Sequence, residues 1–223
     1  MFGRLKAALR RLRPAPAVLP VRDAYARWAA SYPAEAHNPF MRVEQQALMD
    51  LLPDVSGAVV LDLGCGTGRY LKIARARGAA AAVGLDLSPH MLRQAVAVTT
   101  AVVCGDLASL PFRSGAAGIV ICGLAVGHLP RLEGAIAEMG RVLKPGGTLL
   151  YSDFHPAAYR AGGRRPFEAN GREYAVEHHP HLFPVHQAAC RAADLKIDAV
   201  SEPAGSDGVP AVLVIRARKQ KTG

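Results

Sequence analysis

Long apolar runs are missing from this 223-residue sequence, and cysteines are few. No run approaches the roughly 20 apolar residues that a membrane-spanning helix needs. The basic first residues are not followed by a continuous apolar segment with a cleavage site, so we expect no secretory signal. The cysteines form no CxxC pair; they are Cys65, Cys104, Cys122 and Cys190. We therefore expect a cytoplasmic protein with reduced thiols and neither a disulfide framework nor a metal site.

Acidic residues are absent from both ends of the chain, and this locates the formal net charge of +9. Residues 1–21 hold five basic side chains and residues 216–223 hold four. These cations equal the net charge, so the segment between them is neutral. A protein that follows nucleic-acid phosphates carries surplus Lys and Arg within its fold, so nucleic acid is not an expected partner. The ends either are solvated tails or contact an acidic partner such as a carrier protein.

Strand and helix patterns alternate along most of the chain. Apolar, β-branched segments predict strands at 58–63, 81–86, 100–104, 118–123, 147–153, 197–202 and 210–217. Helical patterns fall at 22–30, 40–52, 69–77, 89–97, 131–143 and 184–194. This alternation is typical of a doubly wound, Rossmann-like α/β sheet, here with seven mostly parallel strands. Only a turn-rich loop separates the last two strands, so we expect an antiparallel pair, and hence an antiparallel edge strand, at one side.

The chain divides into one domain with two basic ends. We interpret residues 1–21 as a tail and linker, residues 22–218 as a single domain and residues 219–223 as a second tail. Within the domain, residues 22–57 are expected to form a helical lid. Residues 154–183 leave the strand–helix rhythm and collect Gly, Arg and His, which indicates an insertion on the substrate side.

A glycine-rich turn is the strongest local motif. The segment VVLDLGCGTGRY places Asp62 before three crowded glycines, Gly64, Gly66 and Gly68. A strand, a glycine turn and a helix in this order form a nucleotide-binding corner. A P-loop is excluded because no lysine follows the last glycine. The spacing is also not the GxGxxG of dinucleotide sites, and an aspartate would repel a diphosphate, so the turn favours a positively charged ligand.

Four segments carry a resemblance to a known family: VLDLGCGTGRY, VGLDLS, CGDLASLPF and RVLKPGGTLLYSDF. In this order and spacing the chain resembles the class I S-adenosylmethionine (SAM)-dependent methyltransferases, within the group of UbiE-type and BioC-like small-molecule enzymes. The resemblance implies SAM as the cofactor, a ligand with an ammonium, a sulfonium and no phosphate. The turn thus has the ligand charge that its aspartate favours.

The resemblance also implies where the methionine end of SAM is held. Asp62 and the backbone of Gly64, Cys65, Gly66 and Gly68 are expected to surround it, and the carboxylate would meet the ammonium directly or through water. Cys65 itself is expected to be a small filler of the turn and not a nucleophile.

The nucleoside end falls on the next two strand ends. Asp86 is expected to accept hydrogen bonds from both ribose hydroxyls. Asp106 is expected to accept from the adenine amine, with Leu107 and Leu87 on either side of the ring. The alternative for both aspartates is a capping role at a helix or turn.

The segment YARWAASYP resembles the family's N-terminal lid, where a tyrosine closes over the methionine carboxylate. We expect Tyr25 in this role, with Tyr32 as the second candidate. An ordinary packing role for either ring stays open.

Two histidines follow strand ends on the active edge of the sheet. Methyl transfer is an in-line displacement that needs a base only when the acceptor must lose a proton. His128 and His155 are the catalytic candidates, either as that base or as residues that shape the pocket.

Substrate contacts are expected from the insertion and the lid. Arg164 and Arg165 would hold a carboxylate or phosphate, or else are solvated loop charges. His37 would face the pocket or, with Asn38, begin a helix. The segment EHHPHLFPVH is histidine-rich, but Pro180 interrupts it and no cysteine lies nearby, so we expect lid or surface residues and no metal.

The sequence predicts methyl transfer to oxygen or carbon of a small organic acceptor. No [DN]PP[YF] motif follows the fourth strand, which argues against amino-group methylation in that style. Three alternatives stay open: a carrier-protein-bound acid as the acceptor, a non-catalytic SAM-binding regulator, and a dinucleotide-dependent oxidoreductase.

Overall fold

The computed structural model describes residues 16–99 and 101–221. The strands are β1 (Ala17–Leu19), β2 (Val59–Leu63), β3 (Ala81–Asp86), β4 (Val102–Cys104), β5 (Ala117–Gly123), β6 (Leu143–Phe154), β7 (Pro166–Ala169), β8 (Arg172–Val176), β9 (Leu195–Ser201) and β10 (Val212–Lys219). The α-helices are α1 (Val21–Trp28), α2 (Pro39–Leu51), α3 (Arg69–Ala76), α4 (Pro89–Ala95), α5 (Glu133–Val142), α6 (Pro156–Arg160) and α7 (Phe183–Ala192). None of these helices is long and apolar enough to span a membrane.

Seven strands form the main sheet in the order β4-β3-β2-β5-β6-β10-β9. The first five pair in parallel, whereas β10 runs antiparallel to both β6 and β9. This confirms the Rossmann-like sheet and the antiparallel pair at one side, with β10 next to the edge strand β9. Strand order reverses between β2 and β5, and ligands of such sheets bind at the carboxyl ends beside that reversal.

Helices cover both faces of the main sheet, which explains the near-continuous apolar strands. On one face Met139 of α5 and Cys190 of α7 join a core that includes Leu149 of β6. On the other face Leu48 of α2 and Leu71 of α3 pack with the β2 and β5 side chains. Each fully buried Leu or Met contributes about 1.5–3 kcal/mol relative to exposure, so the two cores hold the strand ends in place.

A second sheet of three strands has the order β1-β8-β7, and its strands β7 and β8 come from the segment 154–183. It packs against α1 through Phe167, whose ring stacks on Trp28 at 4.8 Å between centroids. β1 comes from the segment interpreted as the end of the linker, and it pairs parallel with β8. The sequence around β1 is short and flanked by prolines, so it was interpreted as a linker; its strand partner β8 lies far along the chain.

The C-terminal basic end is partly structured. β10 continues to Lys219, the residue at which the predicted tail begins. Arg216 and Arg218 both donate to Asp198 of β9 at 2.8 Å, so their charges are already paired. Residues 1–15, which include most of the predicted N-terminal tail, and residues 222–223 lie outside the described residues.

Candidate functional site

A cleft of about 850 Å³, its open mouth included, lies at the carboxyl ends of the parallel strands. We call it the main cleft. Residues after β2, β3, β4 and β5 line it together with residues of α1 and the insertion. Of the residues singled out in the sequence, it brings together Tyr25, Tyr32, Gly64, Gly66, Asp86, Leu87, Asp106, Leu107, His128 and Arg165. Most of the motif residues thus converge on one cavity.

The glycine turn presents bare backbone to this cleft. Gly64, Gly66 and Gly68 have φ angles of +71°, +55° and +90°, a region that favours glycine. A Cβ atom on Gly64 would lie 2.5 Å from the Cβ of Ala125. Gly64 and Gly66 line the cleft, and Gly68 begins α3. The glycine spacing therefore makes the tight turn and leaves its backbone uncovered at the cleft.

Asp62 is a buried carboxylate behind the turn. Its residue is only 1% exposed, and neither carboxylate oxygen has a hydrogen-bond partner among the described residues. Burial raises its pKa to about 7, against the lowering effect of Arg69. Such an orphaned acid fits a ligand that brings a positive charge. Asp62 does not itself line the cleft. Of the two expected contacts between its carboxylate and a ligand ammonium, direct or through water, its position suits the contact through water.

Asp86 ends β3 inside the main cleft. One carboxylate oxygen accepts from the Gly66 amide and the other from the Ser88 amide, both at 2.8 Å. Burial raises its pKa, and these two hydrogen bonds oppose that shift. Each oxygen keeps a second lone pair, so the fixed carboxylate is suited to a vicinal diol.

The remaining cofactor candidates separate into two groups. Leu87, Leu107 and the exposed Asp106 all line the cleft, and the Asp106 side chain accepts from the Ala108 amide at 2.9 Å. Cys65 is buried away from the lining, close enough to Gly84 that a Cβ there would sit 2.8 Å from its sulfur. Burial raises the pKa of the Cys65 thiol, which suits a packing role and not a nucleophile.

A buried ion-pair network next to the cleft was missed by sequence analysis. Glu44 of α2 is fully buried and accepts from Arg69 at 2.9 Å, from the Tyr70 hydroxyl at 2.8 Å and from the Ser152 hydroxyl at 2.6 Å. Arg69 lines the cleft beside the glycine turn. Only the arginine directly after the last glycine is a sequence signal for this network, because the acid comes from a distant helix.

Replacing Glu44 with glutamine is expected to cost about 3–5 kcal/mol of unfolding free energy, since Arg69 then loses its buried counter-ion. The matched control is Glu35→Gln, which breaks the exposed pair with Lys72 and should leave the free energy of unfolding nearly unchanged. Urea unfolding of both variants measures the difference. Equal stabilities for the two variants would show that the network contributes nothing special.

Helix α1 and the segment 154–183 both contact His128. The Tyr25 hydroxyl lies 2.9 Å from its Nε2, and its Nδ1 lies 2.9 Å from the Glu177 carbonyl oxygen. Arg165 donates to the Leu124 carbonyl at 3.0 Å and approaches the same Nε2 at 3.1 Å. Burial, and then Arg165, lower the pKa of His128 to about 3. A neutral ring that donates from Nδ1 and accepts at Nε2 fits all of these contacts, and it is a weak base.

Three of the predicted catalytic and substrate residues lie outside the main cleft. His155 caps α6 by accepting from the Ala157 amide at 3.1 Å and contacts Glu202, because the chain turns into a helix directly after β6. Arg164 is exposed and stacks over Tyr159. His37 is exposed beside Asn38. The structure therefore does not support His155, Arg164 or His37 as contacts of the main cleft.

We expect no metal ion at the histidine-rich segment. The described part of the chain holds no group of three His, Cys, Asp or Glu side chains placed for a metal ion. His181 instead bonds the Leu129 carbonyl at 2.8 Å, and His186 lies 3.3 Å from the buried Tyr151 hydroxyl. These two histidines belong to the packing around α7.

Comparison with known proteins agrees with this geometry. A family model described as a methyltransferase domain matches residues 61–151. The malonyl-[acyl-carrier protein] O-methyltransferase of Serratia marcescens is 31% identical over 185 residues, which cover 82% of this chain and 69% of that protein. The malonyl-[acyl-carrier protein] O-methyltransferase of Herminiimonas arsenicoxydans is 41% identical over 130 residues, which cover 57% of this chain and 48% of that protein. The chain spans about half the length of the first curated relatives that it matches.

A solved structure shares the fold. The putative SAM-dependent methyltransferase of Listeria monocytogenes superposes with a TM-score of 0.68 at 23% identity, over 81% of this chain and 99% of the other. The chain belongs to the class I SAM-dependent methyltransferase family.

Proposed function

We propose that this chain transfers a methyl group from SAM to a small organic acceptor, and that the acceptor atom is an oxygen of a carboxylic acid. The observation that carries the finer part is Arg165, a partly buried guanidinium in the main cleft. In the described ranges no carboxylate lies within 4.0 Å of it. Asp153 and Glu44 act on its charge only from beyond that distance. The guanidinium therefore has no direct ion pair, and an anionic ligand would supply one.

The residues present fit SAM. Asp86 would hold the ribose, the backbone of Gly64 and Gly66 would accommodate the methionine end, and Asp62 would balance its positive charge. Arg69 lies beside the turn and already pairs with Glu44. When bound, SAM supplies an activated methyl group on a positively charged sulfur.

Arg165 would then hold and orient the acceptor. A guanidinium binds a carboxylate through two parallel hydrogen bonds, which fixes the direction of an acceptor oxygen. Holding reacting atoms at about 3–3.5 Å in line contributes several kcal/mol to such a displacement. The NH1 group already donates to the Leu124 carbonyl, so the guanidinium has a fixed position.

No general base is needed for this acceptor. A carboxylic acid is ionised above about pH 5, so its oxygen has no proton to lose. The lowered pKa of His128, at about 3, makes it unsuitable to remove a proton from a hydroxyl. We assign His128 the role of positioning Tyr25 and Arg165, both of which contact its Nε2.

A carrier-protein-bound acid is the alternative acceptor. Two relatives are named as malonyl-[acyl-carrier protein] O-methyltransferases, and such a substrate would also present a carboxylate. Two cations at the C-terminal end are already paired with Asp198, which reduces the charge available for docking there.

The direct test is an assay with methyl-labelled SAM and a panel of acceptors: free carboxylic acids, an acyl-thioester acid, phenols and neutral alcohols. We expect base-labile methyl esters. Neither the acceptor nor His128 titrates between pH 6 and 8, so any change of rate in that range is expected from Asp62 or Asp153, whose pKa values burial raises to about 7. Label only in base-stable products would contradict the carboxylate. SAM binding without transfer to any member of the panel would favour a regulator.

A further inference from the structure

Residues 177–181 of the histidine-rich segment lie along the turn that carries His128, a short 3-10 helix at Val126–His128. We call this segment the brace. Three contacts join it to successive residues of the chain: the Gly127 carbonyl accepts from the His179 amide at 2.7 Å, Nδ1 of His128 lies 2.9 Å from the Glu177 carbonyl oxygen, and the Leu129 carbonyl oxygen lies 2.8 Å from Nε2 of His181. The brace therefore holds His128 through its ring and through both of its neighbours.

The side chain of His178, within the brace, faces Asp153 in β6. Its Nε2 lies 3.8 Å from Oδ1 of Asp153, and the two side chains are 6% and 3% exposed. Both ring nitrogens of His178 and Oδ2 of Asp153 lack hydrogen-bond partners in the described part of the chain. Buried polar groups without partners cost free energy, which favours pairing of two such groups that face each other. The separation is about 1 Å longer than a hydrogen bond, and a small movement of the imidazole ring closes it.

Gly127 leaves the space in which these two side chains meet. A Cβ atom at this position would collide with both the Asp153 carboxylate and the His178 ring. The His178 ring also packs against Phe154 and Tyr159, with centroid separations of 5.6 Å and 5.5 Å. The ring is thus confined between the turn that carries His128 and β6. Because β6 lies within the main sheet, the contact attaches the brace to a rigid element.

We propose that Asp153 and His178 are positioning residues for the acceptor side of the main cleft. They share a hydrogen bond next to Gly127 and fix the brace to β6. The brace in turn holds His128 against Arg165, whose guanidinium lies 3.1 Å from the His128 ring. This inference rests on the proposed function, in which Arg165 holds the acceptor.

The charge of the pair changes with pH. Burial raises the pKa of Asp153 to about 7 and lowers the pKa of His178 to about 3. The pair is therefore neutral below about pH 7 and carries one negative charge above it. That charge offsets the positive charge of Arg165, so an anionic acceptor is held less strongly as the pH rises. The other titratable or charged groups around the pair are Arg164, His128, His179, His181, Tyr159, Tyr151 and Cys122.

Steady-state kinetics in the acceptor at saturating SAM test this role. His178→Leu removes the hydrogen bond and keeps an apolar side chain in the space. We expect it to raise the KM for a carboxylic acid acceptor about tenfold, while SAM affinity changes less than about twofold. The matched control is His186→Leu, because His186 is also fully buried, lies against Tyr151 and does not line the main cleft. It should leave the KM for the acceptor unchanged.

Asp153→Asn is a second, nearly isosteric variant that removes the titration and keeps a hydrogen-bonding partner for His178. In the unaltered chain we expect the KM for the acceptor to rise between about pH 6 and 8, as Asp153 ionises. In Asp153→Asn this rise should disappear, whereas a merely structural role would leave it in place. A rise that persists in Asp153→Asn, or equal changes of KM in the two histidine variants, would overturn the proposal.

Nitrogen-15 NMR of histidine-labelled protein tests the pair without an acceptor. Below about pH 7 the acid donates to Nε2 of His178, so the ring proton should be on Nδ1; above that pH the carboxylate should accept from Nε2–H. Asp153→Asn should abolish this change of tautomer. No change of tautomer in the unaltered chain would overturn the proposal. A change of tautomer without methyl transfer to any acid would instead overturn the proposed function alone.

Discussion

Asp86→Ala is expected to weaken SAM binding by at least about 100-fold, the largest effect of any single side chain in the main cleft. A carboxylate that accepts from two ligand hydroxyls contributes about 1.5–3 kcal/mol for each hydrogen bond to a charged group. The same side chain also holds the Gly66 amide at 2.8 Å, so alanine loosens the glycine turn. Equilibrium binding of SAM measures the change.

The SAM affinity of Asp86→Asn should lie between those of the unaltered chain and Asp86→Ala, because the amide keeps one acceptor oxygen and loses the charge. Asp50→Ala is the matched control, since this exposed aspartate of α2 bonds Gln46 and does not line the cleft. It should leave SAM affinity unchanged. If Asp86→Ala bound SAM as the control does, the ribose assignment would be wrong.

Arg165→Met is expected to lower kcat/KM for a carboxylic acid acceptor by about 100-fold while SAM affinity changes less than about twofold, because the variant loses a bidentate ion pair with the acceptor alone. Arg165→Lys should recover part of the loss, since it restores the charge without the planar fork. The measurement is steady-state kinetics in the acceptor, combined with SAM binding.

Arg160→Met is the matched control for the loss of an arginine, and we expect no change in either parameter. A collapse of SAM affinity with an unchanged KM for the acceptor would place Arg165 at the methionine carboxylate, and the carboxylate acceptor would lose its main support.

Elements with their own hydrophobic pattern were predictable from sequence. β3 was predicted at 81–86, the range that the structure shows, because a buried parallel strand is apolar along its whole length. The small sheet was not predicted, since β1 is three residues long and its partner β8 lies in the insertion. Pairing between distant segments leaves no local pattern to find.

In the candidate site, too, features within one short motif could be predicted and contacts between distant segments could not. The glycine turn and Asp86 could be predicted because their chemistry lies within one short motif. Neighbours in sequence cannot be told apart in this way: Arg165 lines the main cleft, while adjacent Arg164 stacks on Tyr159 outside it. The low pKa of His128 likewise depends on burial and on Arg165, which the fold brings from a separate segment.

Calorimetric titration of the purified protein with S-adenosylhomocysteine and with NAD tests the central claim most directly. A turn of bare backbone close to two aspartates should bind the nucleoside without phosphate and exclude the dinucleotide, because Asp62 and Asp86 repel a diphosphate. We predict saturable binding of S-adenosylhomocysteine at micromolar concentration and no heat with NAD. Saturable uptake of NAD, with no response to millimolar S-adenosylhomocysteine, would contradict the account.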